Sequence, residues 1–376
     1  MKVLFFQPYL ANWRIEFLEF FIKKSKHEVV VYDGGFRPKN DVKSISGNKV
    51  SFPVKVLKSL SPIFRFKNQS YPFFFSPFLL FNLVRDRPDV IITEGEINFI
   101  NNISIWLYCF VFRKNYVWWS LGKVRTRKKN IINKFFDPII NNQIKNAKCI
   151  MARNSYAKDY YIENGLKNAT DIIVAPNSMN NYKALNELDS TIQERLYGIK
   201  GNKKVILYVG ALVEDKCPSD LLEAFSLLEN NSDLLLWYVG AGPELNKLKE
   251  QAALLGIFDK VNFFGKIFDG VGNYFNVSDL VVVPGLGGLV INHAMIFSCP
   301  VISRLADGTE QDLVIDDVTG YLVKGSSNKE LARKIDKIFI DEKYTSFGLN
   351  ASKLIASTWN IDVMYQKVNE CIEYKP

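Results

Sequence analysis

A short glycine-rich segment in the second half of the chain has the pattern of an anion-binding turn. Pro284-Gly285-Leu286-Gly287-Gly288 leads directly into the apolar stretch that begins Leu289-Val290-Ile291. A loop that opens onto a helix leaves backbone N–H groups free at the positive end of the helix dipole, and glycines let an anion come close to them. The segment therefore predicts a phosphate site. The same glycines would also suit a buried strand–turn–helix joint.

The titratable residues exclude one class of chemistry. The chain has only two histidines, His27 and His293, so a histidine-rich metal centre is excluded by counting. No acidic pair has the spacing of metal ligands, and we expect neither a metal nor a cofactor. Five scattered cysteines are typical of reduced thiols in a cytoplasmic protein: Cys109, Cys149, Cys217, Cys299 and Cys371.

The elements that position these residues alternate between strands and helices. Apolar runs at 2–7, 28–32, 90–93, 116–119, 149–152 and 172–175 are predicted strands of the first half, with helices near 12–24 and 155–164. The second half repeats the pattern with strands at 204–210, 234–240, 261–265, 280–283 and 300–303. Helices between strands indicate parallel, doubly wound sheets, and two such sheets predict a ligand cleft between them.

Length and composition support two folded domains. The chain has 376 residues, of which 48% are hydrophobic and 23% charged, as in soluble globular proteins. We expect an N-terminal domain at 1–185, a linker at 186–202, a C-terminal domain at 203–355 and a helix within 356–376 that packs back on the first domain. Residues 1–8 have the pattern of a buried strand rather than of a signal peptide, and no apolar run approaches the ~20 residues of a membrane span.

Five short motifs between about residues 171 and 325 follow one another in chain order: Ala175-Pro176-Asn177-Ser178, the loop from Gly210 to Lys216, Val239-Gly240-Ala241-Gly242-Pro243, Val261–Gly265, and Asp316–Val323. Together they resemble the motifs of the group 1 family of retaining glycosyltransferases with the GT-B fold. The resemblance implies two Rossmann-like domains facing across a cleft. It also implies transfer of a sugar from a nucleotide-diphosphate donor.

The family pattern assigns donor residues to matching positions of this chain. The implied diphosphate contacts are Gly210, Lys216, Gly287, Gly288 and Leu289, and the implied nucleotide or ribose contacts are Gly240, Gly242, Pro243 and His293. Lys216 would stabilise charge on the leaving diphosphate, a contribution of roughly 2 to 4 kcal/mol. Alternatively, Lys216 is an ordinary solvated lysine, and His293 is a half-buried helix residue.

Four positions depart from the family pattern. Gly285 and His293 stand where the family has two glutamates, and Ala211 replaces an arginine for which Arg14 or Arg304 could substitute. Leu121 stands where a histidine is often found. Glu310 is a candidate to take the vacated catalytic or sugar-hydroxyl role, or it complements the dipole of a following helix.

The first half carries the implied acceptor contacts and a basic, aromatic surface. The acceptor candidates are Arg14, Glu94, Glu96 and Trp119, with a solvated turn as the alternative for the two glutamates. The net charge of +9, the phenylalanine-rich 56–86 segment and the basic 123–129 segment favour an anionic membrane surface. Single-stranded nucleic acid is the less favoured partner, because no RNA-binding signature is present.

These observations favour a retaining, metal-independent glycosyltransferase on the inner face of the plasma membrane. Its acceptor would be a lipid-linked glycan or oligosaccharide of a bacterial surface polysaccharide, such as O-antigen or capsule. Two alternatives remain: a catalytically degenerate GT-B protein that acts as a binding scaffold, favoured by Gly285, Ala211 and Leu121, and a nucleotide-sugar epimerase, disfavoured by the scarcity of histidine.

Overall fold

The computed structural model describes residues 1–35, 50–66, 69–72, 74–124 and 131–375. The chain divides into two compact units. Unit 1 contains residues up to Lys123, the stretch that ends at Pro176 and the stretch from Asp362 onward, and unit 2 contains Asn177–Ile361. The division at Pro176 lies ahead of the predicted 186–202 linker, and part of that linker is helical.

Unit 1 is built on a parallel sheet. Within the described residues its seven strands lie in the order β3-β2-β1-β6-β7-β8-β9, and β4 pairs antiparallel with β5. The strands are β1 (Lys2–Gln7), β2 (Glu28–Asp33), β3 (Val54–Val56), β4 (Ile63–Phe66), β5 (Gln69–Pro72), β6 (Val90–Glu94), β7 (Asn115–Ser120), β8 (Cys149–Ala152) and β9 (Ile172–Val174). The helices are α1 (Asn12–Lys24), α2 (Leu79–Asp86), α3 (Phe99–Phe112), α4 (Ile131–Asn146), α5 (Ser155–Glu163) and α15 (Ile361–Glu373).

Unit 2 has the same architecture. In the part of the chain described, six parallel strands lie in the order β12-β11-β10-β13-β14-β15. They are β10 (Lys204–Val209), β11 (Leu234–Val239), β12 (Val261–Gly265), β13 (Leu280–Val283), β14 (Val301–Arg304) and β15 (Gly320–Val323). The helices are α6 (Asn181–Asn186), α7 (Ser190–Lys200), α8 (Pro218–Ser226), α9 (Leu245–Leu254), α10 (Gly272–Val277), α11 (Leu289–Ile296), α12 (Thr309–Leu313), α13 (Asn328–Ile340), α14 (Tyr344–Thr358).

The strand sequences explain why both faces of the unit 2 sheet are covered. Along β10, Ile206 and Tyr208 belong to one hydrophobic core, whereas Val205 and Leu207 belong to another. Successive side chains of a strand point to opposite faces, so a continuous apolar run needs a layer on each side. The two-domain α/β prediction is confirmed.

Both sheets contain a point at which the strand order reverses. In unit 1, β1 lies between β2 and β6, and in unit 2, β10 lies between β11 and β13. The loops after these central strands diverge, which leaves a crevice at the carboxyl edge of the sheet. Ligand sites are therefore expected at the ends of β1 and β6 and at the ends of β10 and β13.

Candidate active site

The glycine-rich turn lies at the expected edge of unit 2. The segment Pro284–Gly288 follows β13 directly and leads into α11, and the loop from Gly210 to Cys217 follows the neighbouring β10. The backbone N–H of Leu286 donates to the carbonyl of Asp215 at 3.3 Å, so the two loops are in contact. The structure thus brings together the loops that carry the predicted diphosphate residues.

Lys216 lies at the junction of these loops. Its ammonium Nζ donates to the carbonyl oxygen of Leu286 at 2.7 Å, and its side chain passes beside Gly210. Burial lowers the pKa of Lys216, and the negative charge of Asp307 opposes this shift. The predicted positive charge therefore lies next to the glycine-rich turn. The Lys216 ammonium group has three donors, and the Leu286 carbonyl oxygen accepts from one of them.

Two glycines of the nucleotide motif are required by close backbone packing. A Cβ on Gly240 would lie 1.8 Å from the carbonyl oxygen of Gly210, and one on Gly242 would lie 2.2 Å from that of Leu212. No side chain fits at either distance. The loops after β10 and β11, including Pro243 next to Gly242, are consequently in direct backbone contact.

The turn ends at the first residue of α11. Gly288 has φ +60° and an ideal Cβ there would meet nothing within 4 Å, whereas a Cβ on Gly287 would lie 2.7 Å from Val283. Gly287 is therefore packed against the strand, and Gly288 borders open space at the helix N-terminus. The free N–H groups that begin at Leu289 are a suitable partner for an anion.

The imidazole of His293 is packed among aromatic rings on α11. Its centroid lies 4.5 Å from that of Phe275 and 5.6 Å from that of Phe297. Nε2 is buried without a hydrogen-bond partner among the described residues, and burial lowers the pKa of His293 to about 4. A ribose contact through His293 would have to use Nδ1, since Nε2 is enclosed.

Glu310 is occupied within its own loop, which argues against the predicted catalytic role. Its carboxylate accepts from the N–H of Ala306 at 2.7 Å and from that of Gly308 at 3.0 Å, and the residue is almost fully buried. Burial raises the pKa of Glu310, and Asp307 adds to the increase, while the amide donors oppose it. Glu310 holds the loop after β14 and has no free face for a sugar.

Arg304 does not replace the arginine missing at Ala211. The Arg304 guanidinium forms an ion pair with Asp220 and donates to Asn328 Oδ1 at 2.6 Å and to the Ser326 carbonyl at 3.0 Å. These partners tie β14 to neighbouring loops. The Arg304 guanidinium is therefore engaged by partners within unit 2.

Three predicted acceptor residues meet at the carboxyl edge of the unit 1 sheet. Glu94 Oε1 accepts from Arg14 Nη2 at 3.4 Å and from Arg153 Nη2 at 2.7 Å. The Trp119 ring is fully buried beneath the guanidinium of Arg14, with 3.6 Å between Cζ and the ring centroid. Trp119 is therefore a platform for arginine, and the predicted direct contact of its ring with an acceptor is wrong.

Glu96 also has internal partners. Its carboxylate accepts from the Ser120 hydroxyl at 2.6 Å and from the Tyr161 hydroxyl at 2.7 Å. Burial raises the pKa of Tyr161, and the charge of Glu96 adds to this increase. The Glu96 carboxylate thus links β7 to α5 within unit 1. Its predicted contact with acceptor hydroxyls stays a prediction.

Two residues of this cluster escaped the sequence interpretation. Arg153 directly follows β8, and Tyr9 lies two residues after β1. The sequence signal that could have found them is their position, because each is among the first polar residues after a buried strand that ends at the same edge of the sheet as β6. Burial raises the pKa of Tyr9, with a further increase from Glu94.

Comparisons with known proteins agree with this architecture. Residues 189–354 match the family model of "Glycosyl transferases group 1". N-acetyl-alpha-D-glucosaminyl L-malate synthase of Bacillus anthracis is 28% identical over 192 residues, which cover 48% of this chain and 50% of that protein. The capsular polysaccharide biosynthesis glycosyltransferase CapM of Staphylococcus aureus is 25% identical, covering 48% and 49%. The matches thus span about half the length of these curated relatives.

Solved structures match over almost the whole chain. Anabaena HepE in complex with UDP has a TM-score of 0.76 at 19% identity, covering 99% of both chains. WaaG, a glycosyltransferase involved in lipopolysaccharide biosynthesis, has a TM-score of 0.68 at 15% identity, covering 99% of this chain and 100% of that one. At these identities the likeness shows the fold.

Proposed function

We propose that the chain moves a sugar from a nucleotide-diphosphate donor to a glycan acceptor, since residues 189–354 match the group 1 glycosyltransferase model and the chain has the GT-B fold. The observation that carries the proposal is the contact between the Lys216 loop and the glycine-rich turn before α11. A half-buried cation lies beside the N-terminus of α11, where no side chain among the described residues caps the helix. This pairing suits a diphosphate leaving group, on which negative charge develops.

The proposed transfer retains the configuration of the sugar and needs no metal. Lys216 and the amides after Gly288 would neutralise the leaving diphosphate, which can itself help to deprotonate the acceptor hydroxyl. This route requires no protein base, consistent with a buried Glu310 and an enclosed His293 Nε2. The departures at Gly285 and Ala211 would then alter how the donor sugar is held rather than remove the chemistry.

We further propose a role in bacterial surface polysaccharide biosynthesis with a lipid-linked acceptor. The relatives support this direction, because one acts in capsule and a structural neighbour in lipopolysaccharide synthesis. Within the described residues no helix is both long and apolar enough to span a bilayer. The proposed location is the cytoplasmic face of the membrane, held peripherally.

An exposed apolar face of unit 1 supports this location. It is formed by α2, α3 and the residue before α2, and we call it the α2–α3 face; its exposed members are Phe78, Phe81, Val84, Ile103, Leu107, Phe110 and Val111. Arg87 and Arg113, the residues that follow the two helices, are exposed. Aromatic side chains bordered by arginine suit the interface of an anionic bilayer.

A thermal-shift panel with UDP, GDP, ADP and CMP tests the donor proposal. A nucleotide at a hundred times its Kd adds roughly 2.7 kcal/mol to the free energy of unfolding. We expect a rise in Tm with one nucleoside diphosphate, UDP being the first choice because HepE binds it. Lys216→Ala should lose most of this rise while its own Tm stays near wild type, and Lys247→Ala, on an exposed lysine, should behave as wild type.

The outcomes separate the two remaining interpretations. A nucleotide response that disappears in Lys216→Ala supports a working donor site and identifies the base. An equal loss of stability and nucleotide response would make Lys216 a structural residue. No response to any nucleotide would favour the degenerate scaffold.

A further inference from the structure

A charged cluster in unit 1 lies where its sheet reverses strand order. Arg14 is in the first turn of α1, Glu94 ends β6 and Arg153 follows β8. We call these three residues the Arg14–Glu94–Arg153 triad. All three lie at the carboxyl edge of a parallel sheet, the edge at which α/β proteins bind ligands.

The triad has an unbalanced charge. Both guanidinium groups share one carboxylate oxygen, Glu94 Oε1, at 3.4 and 2.7 Å. Among the described residues, the charges acting on Arg14 come from Arg153, Glu94 and the phenol of Tyr9. With a neutral phenol, two cations face a single anion, and one positive charge remains in a largely buried position. Such a charge is costly unless it is paired.

The hydrogen-bonding capacity of the triad is also unfilled. Nε and Nη1 of Arg14 and Nε of Arg153 are buried and have no partner among the described residues. Buried guanidinium donors are normally satisfied, since each unmade hydrogen bond to a charged group is expensive. The two guanidinium groups around this one carboxylate therefore have three buried donors without a protein acceptor among the described residues, and an oxyanion bound beside them would reduce this deficit.

The aromatic platform explains how the two arginines differ. Arg14 lies 3.6 Å above the Trp119 ring and Arg153 lies 5.6 Å from it, so both stack on one buried surface. The Arg14 side chain is 1% exposed, whereas that of Arg153 is 18% exposed. Arg153 is therefore accessible to a ligand, whereas the more deeply buried Arg14 adds positive charge to the site without facing solvent.

We propose that the Arg14–Glu94–Arg153 triad binds an oxyanion carried by the acceptor, a phosphate or a carboxylate. Arg153 contacts the anion directly, Arg14 provides the second positive charge, and Glu94 bridges the two guanidinium groups and fixes their positions. The assignment to the acceptor rests on the proposed function, because Lys216 and α11 of unit 2 already serve the donor phosphates. The anion site itself stands on the charge and hydrogen-bond count.

Calorimetric titration with inorganic phosphate, glucuronate and glucose tests the site. All titrations use the full chain carrying Lys216→Ala, in which the donor site has lost its cation. Phosphate or glucuronate should bind, and glucose should not. The anion that binds with the lower Kd shows whether the acceptor group is a phosphate or a carboxylate. Adding Arg153→Gln should raise the Kd of the preferred anion roughly tenfold or more, which is the effect expected from losing one charge-assisted hydrogen bond.

Glu94→Gln provides the decisive comparison. Removing the carboxylate leaves two cations for the ligand, so anion affinity should rise about threefold to tenfold even if the protein becomes less stable. A structural ion pair would instead give lower or unchanged affinity in both variants. Arg195→Gln, on an exposed arginine of unit 2, should change nothing; a loss equal to that of Arg153→Gln would mean adventitious binding only.

A separate titration with UDP distinguishes the anion site of the triad from the proposed donor function. UDP titrated into Arg153→Gln with Lys216 intact should bind as it does to the wild type. Opposite anion effects of Arg153→Gln and Glu94→Gln without any UDP binding would support the triad and overturn the donor function. UDP binding with no anion response would do the reverse.

Discussion

Gly285 occupies a position at which a side chain would collide with the loop that holds Lys216. An ideal Cβ there would lie 2.8 Å from the Asp215 carbonyl oxygen and 2.8 Å from the carbonyl carbon of Lys216. Both atoms belong to backbone, which cannot move as a flexible side chain can. The loop that holds Lys216 thus occupies the space that a side chain at position 285 would need.

Restoring the family residue should harm this protein. We expect Gly285→Glu to lower the free energy of unfolding by about 1–3 kcal/mol through overpacking, and to abolish the nucleotide-induced rise in Tm by displacing Lys216. Urea denaturation and thermal shift measure the two effects. Gly198→Ala is the matched control: it lies in α7 with nothing within 4 Å of its Cβ, and should stabilise by up to about 1 kcal/mol. A Gly285→Glu protein that is stable and binds nucleotide would refute this account.

His293 should make stability depend on pH. Its folded-state pKa of about 4 lies below the ordinary value of 6.5, so the unfolded state binds more protons between these values. The free energy of unfolding should therefore fall by about 3 kcal/mol as pH drops from 7 towards 4. His293→Phe, which keeps an aromatic ring beside Phe275 and Phe297, should remove that part of the decrease. The difference between the two proteins, measured by urea denaturation at several pH values, cancels the titration of groups that the two proteins share. Parallel stability curves would contradict the prediction.

At the scale of elements, α15 is an integral part of unit 1 although it is distant in sequence. Lys148 Nζ donates to the Ile372 carbonyl at 2.9 Å, and the Tyr365 hydroxyl donates to the Lys24 carbonyl at 2.9 Å. Met364, Val368 and Cys371 on the same helix are fully buried. The helix contacts α1 and the start of β8, and so supports the strands that carry the triad.

Loss of packing under α15 should loosen unit 1 selectively. Val368→Ala leaves a cavity in a buried site and should cost roughly 1–3 kcal/mol. We expect faster hydrogen exchange in peptides from α1 and β8, with little change in β10 and β13. Lys367→Ala, on the exposed side of the same helix, should leave exchange unaltered. Equal acceleration in both units would show that α15 stabilises the whole chain rather than unit 1.

For the whole molecule, charge and exposed apolar area favour the same partner. The net charge is +9, and unit 1 exposes the α2–α3 face, on which Phe110 is 72% exposed. Residues 125–129 of the basic 123–129 segment lie outside the described residues. Electrostatic attraction and apolar insertion would both contribute to binding an anionic bilayer.

Liposome sedimentation tests these contributions separately. The combined change of Arg125, Arg127, Lys128 and Lys129 to Gln should weaken binding to phosphatidylserine vesicles by about 1 kcal/mol per charge and reduce its salt dependence. Phe81→Ser with Phe110→Ser should weaken binding with the salt dependence retained. Leu254→Ser removes an equally exposed apolar residue of unit 2, 88% exposed, and should have no effect. Unchanged sedimentation of the first two variants would eliminate the membrane proposal.

The local pattern of the chain was sufficient to predict the two α/β sheets. Apolar runs such as Val205–Val209 and Leu234–Val239 are short, continuous and separated by helices, and only buried parallel strands satisfy that pattern. The glycine-rich turn before α11 was likewise visible, because its conformation depends on neighbours in sequence. The small β3 and the β4–β5 hairpin were missed, since such short strands have little periodicity of their own.

The partners of individual side chains were decided by the tertiary structure. Glu310 and Glu96 bond within the fold, Arg304 pairs with Asp220, and Arg153 joins Arg14 on Glu94. Each of these contacts joins loops whose approach depends on strand order and on packing at close range, which spacing along the chain does not encode. The sequence therefore determined the fold and the glycine-rich turn before α11, and the three-dimensional arrangement determined which charged groups pair with one another.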